Sequence, residues 1–450
     1  MAQISVSKKV MITPKARNPA NSIKISGAKN AALPLMAASI LTDEEITLKN
    51  VPVISDVHVM KSHLESYGVT VNFDHSSHVM KLRAAGRCMH MPSNSERSLI
   101  RASFTVLGPL IARFKDTKVG LPGGDNIGGS QGRPINYHVE ALKKMGATLV
   151  SQDNFVHLTA RQGLKGARIE LQNISVGATQ NIVMAACLAE GTTEILNAAM
   201  EPEVRALIDM LEKMNMNGSI VVDETGKMIT IQGSGGKLLN GCEFEVIPDR
   251  IEAGTWAIAA AVTSHSMLLT METAAGMKIM KNIIEKLDLA GVKCKWTQNG
   301  LQVQPSRMIN PVNVTAEPYP GFPTDLIPQW VTLMTLANGS STVKDNVFKD
   351  RFKHVKDLKN MGANIQQLPT QEFKIFGVGK LKRRTDLRAT DLRAGAALAL
   401  AALAADGPTM ILEFQHLERG YEKVMEKIRQ FGAGVDEDKS KPRSGFHGSA

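Results

Sequence analysis

One pattern recurs six times along the chain and limits what it can fold into. A helix-like stretch runs into a glycine or asparagine stop and then into a short β-like stretch. The copies read VMKSHLESYGVTV, YHVEALKKMGATLV, RALIDMLEKMNMNGSI, MKNIIEKLDLAGVKC, HVKDLKNMGANI and VMEKIRQFGAGV. Apolar residues recur at three- and four-residue spacing, which puts them on one face of a helix. The glycines fall at Gly68, Gly146, Gly218, Gly291, Gly362 and Gly432, a period of about 70 to 78 residues. A glycine there accepts the left-handed conformation that ends a helix.

Each unit opens with a second kind of helix, rich in small residues and apolar on all sides: GAKNAALPLMAASIL, RASFTVLGPLIARF, GATQNIVMAACLAEG, EAGTWAIAAAVTS, PTDLIPQWVTLMTLANG and LRAGAALALAALAADG. A helix without a polar face is a buried one. The predicted fold class is therefore α/β with buried helices inside and sheets outside. Six units in 450 residues divide naturally into two domains of three.

Aromatic residues make up only 4% of the chain, so Ala, Leu, Ile, Val and Met must form the core. Lys and Arg exceed Asp and Glu, 53 to 43, a net charge of +10 that suits an anionic partner. No basic run is interleaved with aromatics and no zinc-finger pattern occurs, so a phosphorylated metabolite is favoured over nucleic acid. Cys88, Cys187, Cys242 and Cys294 lie far apart, which argues against a metal site or disulfide framework and for a reducing compartment. No apolar run is long enough to span a bilayer, and the N-terminal residues lack the apolar stretch of a signal peptide. The expected location is cytoplasmic, with no membrane partner and no cofactor.

The polar residues that look least structural cluster where the buried helices begin: Lys29, Asn30, Arg101, Ser175, Thr179, Glu252, Asp325 and Arg393. Helix N-termini carry unpaired N–H groups and partial positive charge. If six such ends converge, they make an anion-binding cleft. Ordinary N-capping also accounts for Ser175, Thr179 and Asp325. It does not account for Lys29, Arg101 or Arg393, because a cation opposes the dipole at that end.

Nine segments then occur in order: SGAKNAALPLMAASIL, RASFTVLGPL, LPGGDNIGG with GRPINYH, SVGATQNIVMAACLAEGTT, IPDRIEAGTW, GFPTDLIPQW, NVFKDRFKHV, ATDLRAGAAL and HLERGYEKV. Together, over roughly residues 20 to 435, they resemble the UDP-N-acetylglucosamine 1-carboxyvinyltransferases of the enolpyruvyl transferase family. The resemblance implies transfer of the enolpyruvyl group of phosphoenolpyruvate to the 3-hydroxyl of UDP-N-acetylglucosamine with release of phosphate. That is the first committed step of peptidoglycan synthesis, and so of cell-wall biogenesis, cell shape and division. It also implies two inside-out α/β domains. One is discontinuous, residues 1–28 plus 247–450; the other spans 29–246 and carries a mobile loop, 121–133.

Residue by residue, the resemblance implies that Lys29 and Asn30 meet phosphoenolpyruvate, with Arg133 and Arg419 completing the anion cage. Arg101, Pro134, Ile135, Asn136, Ser175, Val176, Gly177, Asp325 and Val347 fall on the UDP-sugar side. Lys29, Asp125, Asp325 and Arg393 form the catalytic set, and Asp391 and Arg393 support the reacting centre. Asp325 would deprotonate the sugar hydroxyl. No metal is implied. Three departures stand out. Asp125 occupies the loop position where most members carry cysteine, and must be protonated to act as general acid. The loop is longer before Arg133, and Asn136 stands where aspartate is common. A solvated loop aspartate remains the alternative reading of Asp125. Two rival functions also stay open: the enolpyruvyl transferase acting on shikimate 3-phosphate, and a catalytically silent UDP-sugar-binding paralogue.

Overall fold

The computed structural model describes residues 7–86, 100–123, 134–214, 218–224, 226–369 and 372–438. Within them the helices alternate between two environments. The inner set comprises α1 (Lys29–Ala38), α3 (Leu107–Phe114), α5 (Val176–Leu188), α7 (Arg250–Thr263), α9 (Ile327–Met334) and α11 (Leu392–Leu403). The outer set comprises α2 (Ser55–Ser66), α4 (Asn136–Lys144), α6 (Pro202–Lys213), α8 (Thr273–Leu289), α10 (Val355–Asn360) and α13 (Val424–Arg429), with a short α12 (Gln415–Glu418). Every residue of α11 is buried, and all of α1 except Asn30. The outer helices keep an exposed face.

Small residues permit this arrangement by letting helices touch backbone to backbone. A Cβ on Gly108 would lie 2.2 Å from the carbonyl oxygen of Asn181 in α5, closer than any side chain tolerates. Asn181 fills the contact from its own side: its Oδ1 accepts from Gly108 N at 2.6 Å and its Nδ2 donates to Phe104 O at 2.9 Å. A buried amide with both ends satisfied fixes the relative position of the two helices.

Five of the six predicted helix stops are left-handed glycines: Gly68, Gly146, Gly291, Gly362 and Gly432 have φ between 83° and 97°. Gly218 differs. The outer helix of its unit ends at Lys213, and Gly218 instead lies against Gln232, whose carbonyl oxygen would stand 1.9 Å from a Cβ. The requirement for glycine there is close approach, not handedness.

The strands form five four-stranded sheets and one three-stranded sheet among the described residues. Buried and more exposed residues alternate along them, as in Ile46–Lys49 and Val79–Arg83, so each sheet turns one face to a core and the other to solvent. Two hydrophobic cores result, here called lobes. The first gathers residues from Ala28 to Val246. The second gathers Val10, Ile12, Ile23 and Ile25 with residues from Ile251 to Val435.

Lys9–Thr13 lies between Thr409–Leu412 and Gly434–Asp438, antiparallel to both, and so completes the sheet of the last unit. Ser22–Lys24 pairs parallel with Met267–Thr270, and Glu243–Glu245 pairs parallel with Ile46–Lys49. Two segments connect the lobes, and they bond to each other: Ala28 N donates to Ile247 O at 2.8 Å and Asp249 N to Ser26 O at 2.9 Å.

Candidate active site

The beginnings of all six inner helices, or of the 3-10 turns that lead into them, line one cleft of about 490 Å³ between the lobes. The first lobe contributes Lys29 and Asn30 from α1, Arg101 from the turn Arg101–Val106, and Ser175, Val176 and Gly177 around the start of α5. The second contributes Arg250 from α7, Asp325 from the turn Thr324–Leu326, and Arg393 from α11. Val347 and Arg419 also line it, as does Pro134. Ile135 and Asn136, expected on the sugar side, begin α4 and do not line the cleft. Asp125, Arg133 and residues 124–133 of the expected loop lie outside the described residues.

Local sequence explains several of these positions. Ser175 caps α5 by accepting from Ala178 N, while Asp391 caps α11 by accepting from Arg393 N and Ala394 N. Asp391 therefore anchors the turn that carries Arg393 and does not itself line the cleft. Thr179 and Glu252, grouped in the sequence with the cleft residues, do other work. Thr179 Oγ1 accepts from Ala199 N at 3.0 Å, and Glu252 binds Ser26 N at 2.8 Å, Trp256 Nε1 at 2.9 Å and the Lys427 ammonium. Both are buried polar groups satisfied within a lobe or at its connection, away from the cleft.

Two acids hold cleft cations, the expected Asp325 and the unexpected Asp56. Asp56, in the first turn of α2, accepts from Lys29 Nζ at 3.1 Å and from Arg419 Nε at 3.0 Å, so one carboxylate joins the two lobes. Asp325 is gripped by two guanidiniums, Arg351 Nη2 on Oδ1 and Arg393 Nη2 on Oδ2, each at 2.8 Å. Asn30 Nδ2 reaches the same Oδ2 across the cleft at 3.3 Å. Burial works against the Asp325 charge, but Arg393, Arg351 and Lys29 outweigh it and hold the carboxyl well below the usual range. Asp325 is thus ionised at any working pH.

Arg393 is itself fixed from behind. Its Nη1 donates to Tyr421 Oη at 3.1 Å, and that hydroxyl also contacts Thr255 Oγ1 and Gln329 Nε2. A guanidinium held this way can act only in one orientation, which suits a group that must meet an anion. Arg351 sits inside the quoted segment NVFKDRFKHV, so its signal was present in the sequence. Asp56 had none beyond being an acid in a helix's first turn, where acids are common.

His138 lines the cleft under Gly177 and accepts from Asn181 Nδ2 through Nδ1 at 2.7 Å, leaving the proton on Nε2. Burial, helped by Arg101, lowers its pKa to about 3; burial does the same to His354, also to about 3. Unfolded histidine takes a proton near pH 6.5, before either folded ring does. Their stabilising effect is therefore complete above that pH and is lost on acidification, at up to roughly 1.4 kcal/mol per pH unit for each ring. Denaturant midpoints should fall steadily from pH 6.5 towards 4, and a His354→Gln chain should show a shallower slope. Equal slopes would remove His354 from the account.

This geometry has relatives. The family model for EPSP synthase (3-phosphoshikimate 1-carboxyvinyltransferase) matches residues 15–428. The UDP-N-acetylglucosamine 1-carboxyvinyltransferase of Wolbachia pipientis wMel is 40% identical over 433 residues, covering 95% of this chain and 99% of its own. That of Desulfatibacillum aliphaticivorans is 42% identical over 426 residues, covering 94% and 98%. The chain belongs to the UDP-N-acetylglucosamine 1-carboxyvinyltransferase family. Among solved structures, the enolpyruvyl transferase NikO from Streptomyces tendae superposes with a TM-score of 0.84 at 22% identity, over 96% of this chain and 99% of its own. EPSP synthase from Acinetobacter baumannii superposes with a TM-score of 0.71 at 19% identity, over 96% and 100%. These two share the fold. As a member of the UDP-N-acetylglucosamine 1-carboxyvinyltransferase family the chain is a transferase. No helix among the described residues is long and apolar enough to cross a membrane.

Proposed function

We propose that this chain transfers the enolpyruvyl group of phosphoenolpyruvate to the 3-hydroxyl of UDP-N-acetylglucosamine, releases phosphate, and so commits the sugar to peptidoglycan in the cytoplasm. The observation that carries the proposal is the meeting of Lys29, Asn30, Asp325, Arg393 and Arg419 from both lobes in one cleft. Lys29 and Arg419, with Arg133 from the loop, hold the phosphate and carboxylate of phosphoenolpyruvate. Arg101, Pro134, Ser175, Val176, Gly177 and Val347, all of which line the cleft, hold the UDP-sugar.

Asp325 accepts the proton of the 3-hydroxyl as its oxygen attacks C2 of phosphoenolpyruvate, and Asp125 donates a proton to the methylene carbon. The tetrahedral adduct then loses phosphate and a proton from the new methyl group. The negative charges of bound phosphoenolpyruvate offset the field of Lys29 and Arg393 at Asp325, which raises its basicity when the base is needed. The cations that gripped the substrate also stabilise the anionic adduct. We assign residues 1–28 plus 247–450 and residues 29–246 to two domains that close around the substrates.

Phosphate release should require UDP-N-acetylglucosamine together with phosphoenolpyruvate. Release with shikimate 3-phosphate in its place would instead support the activity for which the family model is named. Release with neither would leave a silent binding protein.

A further inference from the structure

Charged helix ends from the two lobes meet head to head on a second flank of the cleft. The N-terminus of α6, in the first lobe, carries Glu201 as its cap residue and Glu203 in its first turn. The N-terminus of α7, in the second lobe, begins with Arg250. Acids suit a helix N-terminus, whereas an arginine there opposes the dipole, so nothing within α7 favours Arg250. Its partner lies in the other lobe. Arg250 Nε and Nη2 donate to Glu203 Oε1 and Oε2 at 3.0 and 3.2 Å, a two-pronged pair with both residues buried.

A second link runs beside the first. Tyr319 N, in the second lobe, donates to Glu201 Oε1 at 3.4 Å, and the Arg250 guanidinium stands 5.9 Å from the Tyr319 ring centroid. Glu201 Oε2 is buried without a hydrogen-bond partner among the described residues. Burial accordingly pushes the Glu201 carboxyl up, although Arg250 nearby acts against this. Three charged groups and one ring, two from each lobe, thus fill a flank of the cleft that no step of the reaction uses.

We propose that Glu201, Glu203 and Arg250 are positioning residues, a latch that sets the angle at which the lobes meet and so the distance from Lys29 and Asn30 to Asp325 and Arg393. The proposal rests on the enolpyruvyl-transfer reading for its kinetic consequence, but not for its structural one. A bidentate buried pair resists rotation because a small tilt breaks both bonds and leaves a charge unpaired. Glu201, with a spare oxygen, is placed to take the guanidinium when Glu203 is removed.

The test compares wild type with Arg250→Gln, Arg250→Lys, Glu203→Gln, the Glu201→Gln/Glu203→Gln double variant, and all three glutamines together. Small-angle scattering reads the lobe angle without any turnover. Steady-state phosphate release reads KM for UDP-N-acetylglucosamine against kcat. Arg250→Gln and the glutamate double variant should enlarge the radius of gyration by the same amount and raise that KM at least about tenfold, with kcat changed less. Glu203→Gln alone should be milder, and the triple variant no worse than Arg250→Gln, because the groups act as a unit. Arg250→Lys keeps the charge and guards against a folding failure; it should fall between wild type and Arg250→Gln. Scattering curves identical to wild type in every variant, or losses that multiply in the triple variant, would overturn the latch. Wild type without phosphate release would sink the enzymatic reading while the scattering comparison still decided the latch.

Discussion

An Asp325→Asn chain should release phosphate at least about 10³-fold more slowly than wild type at saturating substrates. Removing a positioned general base typically lowers a rate by about 10² to 10⁴. Two further effects push this substitution towards the upper part of that range. Asparagine keeps the shape of the side chain but cannot neutralise Arg351 and Arg393, which both bond the Asp325 carboxylate at 2.8 Å. It also presents an NH₂ group to one of those guanidiniums, donor against donor, so Arg393 loses the orientation that Tyr421 and Asp325 share in fixing. Binding of UDP-N-acetylglucosamine should change much less than kcat, because the uridine and diphosphate contacts assigned above come from other residues. A melting curve recorded beside the assay separates lost chemistry from lost structure. An Asp325→Asn chain that kept about a tenth of wild-type turnover, far above the range a lost general base allows, would remove Asp325 from the catalytic role.

The second large effect belongs to Asp125. Asp125→Asn removes the only proton that this side chain can give, and the chain should be nearly inactive. Asp125→Cys restores an ionisable group and should recover part of the rate. The same pair of variants reads out through an inhibitor. The epoxide fosfomycin alkylates a thiolate, so wild type should resist it, while Asp125→Cys should be inactivated with a mass adduct on residues 121–133. Rapid covalent inactivation of wild type in that segment would refute the assignment of Asp125. On the general-acid assignment the carboxyl must also be held protonated, which bound anionic substrate would favour. Its activity should therefore be lost as pH rises through its pKa in the complex, and the Cys variant should lose activity over a different, higher range.

Much of the lining of the cleft was legible in the sequence because it sits on motifs whose spacing is local. Lys29, Asn30, Arg101, Ser175, Asp325 and Arg393 each begin, or stand within a turn of, a helix whose apolar run is visible in the sequence, and all six line the cleft. Thr179 and Glu252 share that local setting and yet serve the interior. A helix turns about 100° per residue, so a shift of one or two positions decides which way a side chain faces, and composition does not carry that information. Asp56, Glu201 and Glu203 were illegible for a different reason: each is an ordinary acid at the start of its own helix, and its partner in the other lobe gives it a role. Arg250 carried the signal of a cation opening an inner helix, within IPDRIEAGTW, but the sequence did not show its partner. Ile135 and Asn136, in the middle of GRPINYH, fall at the cap and first residue of α4 and do not line the cleft, whereas Pro134, Tyr137 and His138 on either side of them do.

By itself the sequence determined the six-unit architecture, the inner position of the Ala-rich helices and five of the six left-handed glycine stops. These follow from short-range sterics and from the amphipathic period, which act within a dozen residues. Tertiary structure alone decided how the charges pair. Asp56 binds Lys29, 27 positions away, and Arg419, 363 positions away, and Glu203 binds Arg250 across the lobes. It alone also decided that Lys9–Thr13 closes the sheet of the last unit. Coulomb attraction and strand pairing depend on distance in space, and in a chain that crosses twice between lobes, that distance is set by how the two cores pack.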